Sequence, residues 1–405
     1  MSQKKILILG GGRYNLKVIH SARNLGYYTI VADRDEHAPG FAYADEKQVI
    51  DITDYLAMFS YARHQRIDGI AAINDYGVFT AAYVAEKLRL PGIECELARI
   101  ATDKGLLRKA WEAAKQPNPR FRIVFSLQEC RDACREIGLP VILKPTMSMG
   151  GNRGVMAVRE EKDIQEAYAF ASAAYAKTDV LVEECLKGIE HSVEVIIYNG
   201  RGHVIAMGDN SKQAWPYRVN TEIVYPTELT GARRARLEQT ARECVESLGW
   251  RNGCAHVECC TLDNGEVKLF ELGARPGGGG IPDPIVPFFT GVNEFEEYLR
   301  IIVGEAPHQT VPLHEKGCVY HFLFTRPGKI KAIHGLEEVR SWKNILDAEV
   351  FVKPGDAIPA IRTGPDRPGF VIAGGETRQE AIELGRKAGH TIVFEYEERY
   401  EHQTV

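Results

Sequence analysis

At 405 residues the chain is too long for one ordinary hydrophobic core, so two or three domains are expected. Its 44% hydrophobic and 26% charged residues are those of a globular protein, and a net charge of -5 argues against general nucleic-acid binding while leaving room for a local basic pocket. No run approaches the roughly 18 apolar residues that cross a membrane. MSQKKILILGGG enters a strand with no cleavable leader, and nine scattered cysteines without a paired CxxC read as reduced thiols of a cytoplasmic protein.

Residues 4–33 read as strand, glycine turn (Gly10-Gly11-Gly12), helix and strand, a Rossmann-like βαβ unit. The dinucleotide fingerprint G-x-G-x-x-G fails at its sixth position, Asn15, although Asp33 ends the second strand where an acid could hold a ribose. Residues 69–73 form another strand with Asn74 and Asp75 at its carboxyl end, where open α/β sheets bind ligands. Asp75 could equally cap the helix expected over 78–88. Thr102-Asp103-Lys104 opens a helix to about residue 115. Lys104 in its first turn opposes the helix dipole, a hint that it faces an anion.

A linker, 116–120, leads into a strand over 121–125 and a helix over 127–137. In the next strand, PVILKP, Lys144 is a single charge on an apolar run. The following TMSMGGNRGVMAV is a Gly/Ser/Asn-rich turn able to bring backbone N–H groups to phosphates. It is not a P-loop, because the lysine precedes the glycines. After a helix over 162–176, DVLVEECLKGIEHSVEVII gives two strands punctuated by Glu183, Glu184, Glu190 and Glu194. A strand, a polar loop with Lys212 and Arg218, another strand and an amphipathic helix (230–248) follow.

Residues 254–280, CAHVECCTLDNGEVKLFELGARPGGGG, form the centre of the pattern. Asn264-Gly265 is a strong two-residue hairpin signal. A turn there sets Glu258 opposite Glu271 and His256 opposite Gly273, with Arg275 further along the same face. Directly opposed side chains are about 5 Å apart at Cβ, so two carboxylates there repel and call for a compensating cation. Mg²⁺ typically takes one or two carboxylates plus substrate phosphates. Leu262, Val267 and Leu269 are expected on the carboxylates' face nearer the turn. Glycines 277–280 allow close backbone approach to a ligand. A helix over 292–303 precedes short strands from about 307, a helix over 377–388 and a last strand, which read as an α+β domain.

With Lys104, Lys144, the glycine turn, LVEECLKGIEHSVEV and the acidic hairpin GCAHVE…FELGAR in this order, nearly the whole chain resembles the ATP-grasp superfamily. Within it, the pattern is most similar to carboxylate–amine ligases that include L-amino acid (dipeptide) ligases. The resemblance implies a mixed α/β and α+β, three-domain architecture: a Rossmann-like domain (1–97), an ATP-grasp domain (98–306) with a mobile lid at about 118–182, and a small α+β domain (307–405). It implies ATP, with Mg²⁺ or Mn²⁺, as cofactors. Lys104 and Lys144 would meet ATP phosphates, and the loop from Ser148 through Gly150 and Gly151 to Gly154 would cover them. Glu183, Glu184, Cys185 and Leu186 would form the hinge whose backbone reads adenine, and Glu190 would hold the ribose hydroxyls. Glu258 and Glu271 would bind the metal, and Arg275 would hold the acyl phosphate. Gly277, Gly278, His256, Arg218, Lys212 and Asn74 are candidates for the substrate cavity.

The departures are Gly273, where many relatives carry Asn, and Asn210, where similar ligases often carry Lys, with Lys212 two residues on. The expected activity is phosphorylation of a carboxylate followed by attack of an amine, in a cytoplasmic homodimer acting on small molecules, with no nucleic-acid or membrane partner. Purine-pathway ligases and bicarbonate-using carboxylases are same-class alternatives. A nicotinamide-dependent oxidoreductase and a catalytically silent nucleotide-binding regulator are alternatives of other classes.

Overall fold

The computed structural model describes residues 3–147, 150–175 and 178–397. The chain begins with four parallel strands, β1 (Lys5–Leu9), β2 (Tyr28–Asp33), β3 (Glu46–Val49) and β4 (Gly69–Ala72), ordered β3-β2-β1-β4. β1 and β4 are almost wholly buried, as expected of a parallel sheet covered on both faces. The glycine turn after β1 is stitched from within. Gly10 takes φ +100, Gly11 N–H donates to Asp33 Oδ2 (2.7 Å), Asp35 N–H donates to Oδ1 (2.9 Å), and Asn15 Nδ2 donates to Leu9 O (3.2 Å). Asp33 thus serves the turn itself.

The cap of the next helix, Asp75–Leu88, is Asn74 and not Asp75: Asn74 Oδ1 accepts from Gly77 N–H at 3.1 Å. A further helix, Cys95–Thr102, goes unanticipated by the sequence pattern. It leads to Asp103, whose side chain caps the helix Lys104–Ala113 through Leu106 N–H.

Strands β5 (Phe121–Val124), β6 (Val141–Pro145), β7 (Met156–Val158) and β8 (Val180–Glu184) form an antiparallel sheet ordered β5-β8-β6-β7. Helices Leu127–Ile137 and Ile164–Ser172 cover it, and Cys130, Cys134, Val141, Leu143 and Ala167 belong to a core separate from the rest of the protein.

The chain then builds β9 (Gly188–Tyr198), β10 (Arg201–Lys212), β11 (Asn220–Tyr225), β12 (Gly253–Leu262) and β13 (Val267–Gly273). The C-terminal region adds β14 (Gly317–Phe322), β15 (Gly328–His334), β16 (Ile345–Val350), β17 (Ala357–Ile358), β18 (Gly369–Gly375) and β19 (Val393–Tyr396). These last strands do not form one sheet of their own. β14, β18 and β16 continue the central sheet in the order β13-β12-β9-β10-β11-β14-β18-β16, and β17-β15-β19 stand apart. β14 thereby covers the edge that β11 would otherwise leave unpaired, with Glu222 opposite His321.

The first sheet docks on the helix Glu294–Ile302. Tyr298 Oη lies 3.2 Å from Ala72 N, and a Cβ built on Gly69 would fall 2.8 Å from Ile302 O. Only a residue without a side chain allows this backbone approach. Gly69→Val should therefore lower stability by about 1–3 kcal/mol, the usual cost of overpacking, as read from urea unfolding. An unchanged midpoint would mean that this contact is loose.

Candidate active site

The central hairpin carries Glu258 and Glu271 directly opposite one another, and His256 opposite Gly273. The route to that register differs from the expected one. Leu262 N–H donates to Glu266 O (2.7 Å) and Gly265 N–H to Leu262 O (2.9 Å), so the loop is three residues, 263–265, and not two. That moves the pairing near the turn by one residue: Cys259 faces Leu269 and Thr261 faces Val267. A β-bulge between these pairs and Glu258–Glu271 restores the register, leaving Phe270 as the extra residue. The bulge also switches faces. Val267, Leu269 and Leu272 enter the core, whereas Glu271 turns to the cleft. The expectation that Val267 and Leu269 share the carboxylates' face is therefore corrected, since an extra residue reverses the alternation.

Glu258 and Glu271 line a cavity of about 600 Å³ together with Lys144, Asn152, Glu183, Glu184, Cys185, Leu186, Glu190, Lys212, Arg218 and Phe270. A contiguous cleft of about 270 Å³ holds Lys104, Lys144, Gly150, Arg153 and Glu271. Acids accompany the cations of both spaces. Lys104 Nζ sits 3.1 Å from Glu271 Oε1. Lys144 contacts Glu183, whose other oxygen is held by Arg108 at 2.8 Å. Glu190 is gripped by Lys212 and Arg218, each at 3.0 Å.

The electrostatic balance follows. Burial disfavours the Glu271 carboxylate, but Lys104 and Lys144 outweigh it and hold its pKa at about 2. Burial likewise opposes charge on Glu183, and Arg108 and Lys144 together keep it below the ordinary carboxylate range. Burial depresses Lys144, only partly offset by Glu183.

Several assignments shift. The Glu183 side chain is a buried counter-ion to Arg108 and Lys144, a role the sequence reading, which used only the hinge backbone, did not give it. Glu184 is paired with Arg120 (3.1 Å) and with Lys268. Lys212 and Arg218, expected toward the substrate, lie with Glu190 at the hinge end. A bulge between Ser211 and Lys212 breaks the β10 register at that point. Asn74 is engaged in its cap and, through Nδ2, with Leu9 O at 3.4 Å, and it is not among the residues that line these two spaces. The sequence pattern did not single out Arg108, which is fully buried. Its one sequence signal is a cation one helical turn after Lys104, on the same face of the helix.

At the far end, Arg275 forms a two-point pair with Asp75, Nε to Oδ1 at 2.9 Å and Nη2 to Oδ2 at 3.0 Å. His256 Nδ1 lies 2.6 Å from Glu194 Oε1, and Glu194 Oε2 accepts from Gly277 N–H at 3.1 Å. Burial opposes the imidazolium, but Glu194 raises its pKa to about 10. The 277–280 turn is tightly seated: a Cβ on Gly279 would meet Tyr320 Oη at 2.6 Å, whereas Gly278 faces open space.

The glycine loop of the lid is docked as well. Gly151 O accepts from Gly364 N–H (2.7 Å) and Asn152 Nδ2 donates to Arg218 O (2.6 Å). A Cβ on Gly154 would fall 2.6 Å from that of Ala174. Ser148 lies outside the described residues.

Among the described residues no three His, Cys, Asp or Glu side chains converge as a self-contained metal cage. Two opposed carboxylates beside two lysines suit Mg²⁺ shared with phosphate oxygens. No helix among them is long and apolar enough to cross a membrane, and all nine cysteines are unpaired.

A Rossmann-like sheet, a separately cored lid and a charged cleft beneath it define an ATP-dependent carbon–nitrogen ligase. The chain belongs to the ATP-grasp superfamily. Residues 19–92 match the ATP-grasp N-terminal domain, 137–283 the ATP-grasp domain, and 321–397 the L-amino acid ligase C-terminal domain 2. A formate-dependent phosphoribosylglycinamide formyltransferase of Methanocaldococcus jannaschii is 27% identical over 96% of this chain and 97% of its own. The crystal structure of an L-amino acid ligase from Bacillus licheniformis superposes with a TM-score of 0.85 at 20% identity, covering 98% of this chain and 100% of that one. The biotin carboxylase domain dimer of Hydrogenobacter thermophilus 2-oxoglutarate carboxylase, in complex with MgADP, ADP and bicarbonate, gives 0.75 at 18% identity, covering 98% and 91%.

The depressed Glu271 pKa gives stability a definite pH dependence. Stability from this carboxylate is fully present above its ordinary value of 4.5 and is lost as pH falls from there through about 2. Unfolding free energies of wild type and Glu271→Gln should therefore differ at pH 7, draw together as pH falls below 4.5, and converge only near pH 2 and below. A gap independent of pH would sink the coupling to Lys104.

Proposed function

We propose that this ligase phosphorylates a carboxylate with ATP and couples the acyl phosphate to an amine, with an amino acid on at least one side. The observation that carries this reading is the opposed Glu258–Glu271 pair beside Lys104 and Lys144, in a cleft that runs to the Glu184–Leu186 hinge, with His256 and Arg275 farther along the same hairpin and the segment after it. In the first step a carboxylate oxygen attacks the γ-phosphorus, the new O–P bond forms, the β–γ bridge breaks, and ADP leaves. In the second step the amine attacks the acyl carbon, the C–N bond forms, the C–O bond to phosphate breaks, and the proton lost from nitrogen leaves with the departing phosphate.

Such chemistry is mostly positioning and charge neutralisation. Lys104 and Lys144 exchange their carboxylate partners for phosphate oxygens, and Gly150, Gly151 and Gly154 cover them. Main-chain groups from Glu183 to Leu186 take the adenine, and Glu190 the ribose hydroxyls. Glu258 and Glu271 would hold Mg²⁺, with Mn²⁺ as a substitute, and the bound ion would supply charge compensation on the transferring phosphoryl group. Arg275 stabilises the acyl phosphate, with Gly277 and Gly278 beside it. His256, kept protonated by Glu194, orients the carboxylate substrate and does not act as a base. The protein is expected to work in the cytoplasm as a homodimer, the state named for the biotin carboxylase neighbour.

The L-amino acid ligase C-terminal domain favours an amino-acid substrate. The full-length likeness to a formate-dependent phosphoribosylglycinamide formyltransferase supports the second reading, a purine-pathway ligase.

The test is ADP and phosphate release across a matrix of amino-acid pairs, with formate plus a ribosylamine, bicarbonate, and no acceptor as further arms, and products identified by mass. Release only with particular pairs, with a condensed product, is expected. Turnover only with formate or bicarbonate would replace this reading. Arg275→Ala should lower kcat at least about tenfold while KM changes little, because its contact strengthens as charge develops. A pure KM effect would make Arg275 a ground-state binder.

A further inference from the structure

Arg275 is the cation on which the proposed transition state depends, and the first domain holds it. A guanidinium has five N–H donors. Asp75 takes the Nε donor and one on Nη2, and Pro276 O takes one on Nη1 at 3.0 Å. One N–H on each terminal nitrogen is thus left for a ligand. Both partners are nearly buried, at 12% and 13% exposure, and among the described residues Asp75 is the one carboxylate in ion-pair contact with Arg275.

Asp75 is itself firmly placed. It is the first residue of a 14-residue helix capped by Asn74, where the helix terminus favours a negative charge. A side-chain carbon on Gly150 of the lid loop would lie 3.5 Å from Asp75 Oδ2. Three parts of the protein therefore meet at this carboxylate: the first domain, the lid, and the segment after the central hairpin.

We propose that Asp75 is a positioning residue that acts through Arg275. It clamps one edge of the guanidinium so that the two uncommitted N–H groups keep one fixed direction. The inference rests on the reading of Arg275 as the acyl-phosphate cation. A two-point clamp fixes the plane of the fork, which a single hydrogen bond would leave free to rotate. Asp75 then influences turnover more than substrate affinity, and its effect vanishes where there is no fork to orient.

The test is a double-mutant cycle of Asp75→Asn and Arg275→Lys, read with the substrate pair that turns over. Asp75→Asn should lower kcat about tenfold with both KM values within about twofold of wild type. In the Arg275→Lys background the same change should cost less than about twofold. Melting curves of all variants accompany the kinetics, since a merely structural role would move the Tm in step with kcat.

A raised KM for the amine with unchanged kcat would make Asp75 a substrate ligand and overturn the proposal, as would additive losses in the double variant. A readout without turnover keeps the proposal separate from the ligase reading. Phenylglyoxal modification of Arg275, followed by peptide mass, should proceed at least about threefold faster in Asp75→Asn, because the clamped edge is released. An unchanged rate overturns the clamp. Absence of ADP formation by wild type with every substrate strikes the ligase reading alone.

Discussion

The extra residue at Phe270 decides the geometry of the site. Without it, the alternation of β13 would place Glu271 on the core face with Leu269, and no carboxylate would stand opposite Glu258 in the cleft. The bulge has a second consequence, because Phe270 O accepts from Arg108, the buried cation whose guanidinium also holds Glu183. One local irregularity thus aims the candidate metal carboxylate and ties the hairpin to the helix Lys104–Ala113, which supplies Lys104.

The cleft is charged but internally compensated. Lys104 with Glu271, Lys144 and Arg108 with Glu183, Lys212 and Arg218 with Glu190, Arg275 with Asp75, and His256 with Glu194 each pair a cation with an acid. Isolated charges at such depth would carry a large desolvation cost, and pairing with hydrogen bonds offsets it. A polyanionic ligand entering this cleft re-partners existing cations instead of meeting bare ones. Arg108 stands apart, since it is fully buried beneath the cavity and holds Glu183 in place for Lys144.

The site is assembled between parts of the chain that are far apart. The first sheet brings Asp75, the separately cored lid brings Lys144 and the glycine loop, and the long sheet brings both acids. The C-terminal region contributes Gly364, which bonds the lid loop, and Tyr320, which seats the 277–280 turn. Because β14, β18 and β16 extend the same sheet as β12 and β13, this part of the C-terminal region is a structural continuation of the layer that carries Glu258 and Glu271.

Much of this was legible in the sequence, and for physical reasons. Buried parallel strands announce themselves as short apolar runs, as KILIL and GIAA do, and a lone lysine on the apolar run PVILKP needs an anionic partner. The opposed acids followed from the Asn264-Gly265 turn signal, although the correct pairing arose from two departures that cancel, a three-residue loop and a bulge. Local pattern cannot reveal a bulge, because the extra residue is defined only against the neighbouring strand. The partners of Arg108, Asp75 and Lys212 were decided by tertiary structure alone. Each depends on a partner or neighbour many residues away, and whether a polar side chain caps a helix, neutralises a buried acid or faces a ligand is fixed by which groups the fold brings within about 3 Å of it.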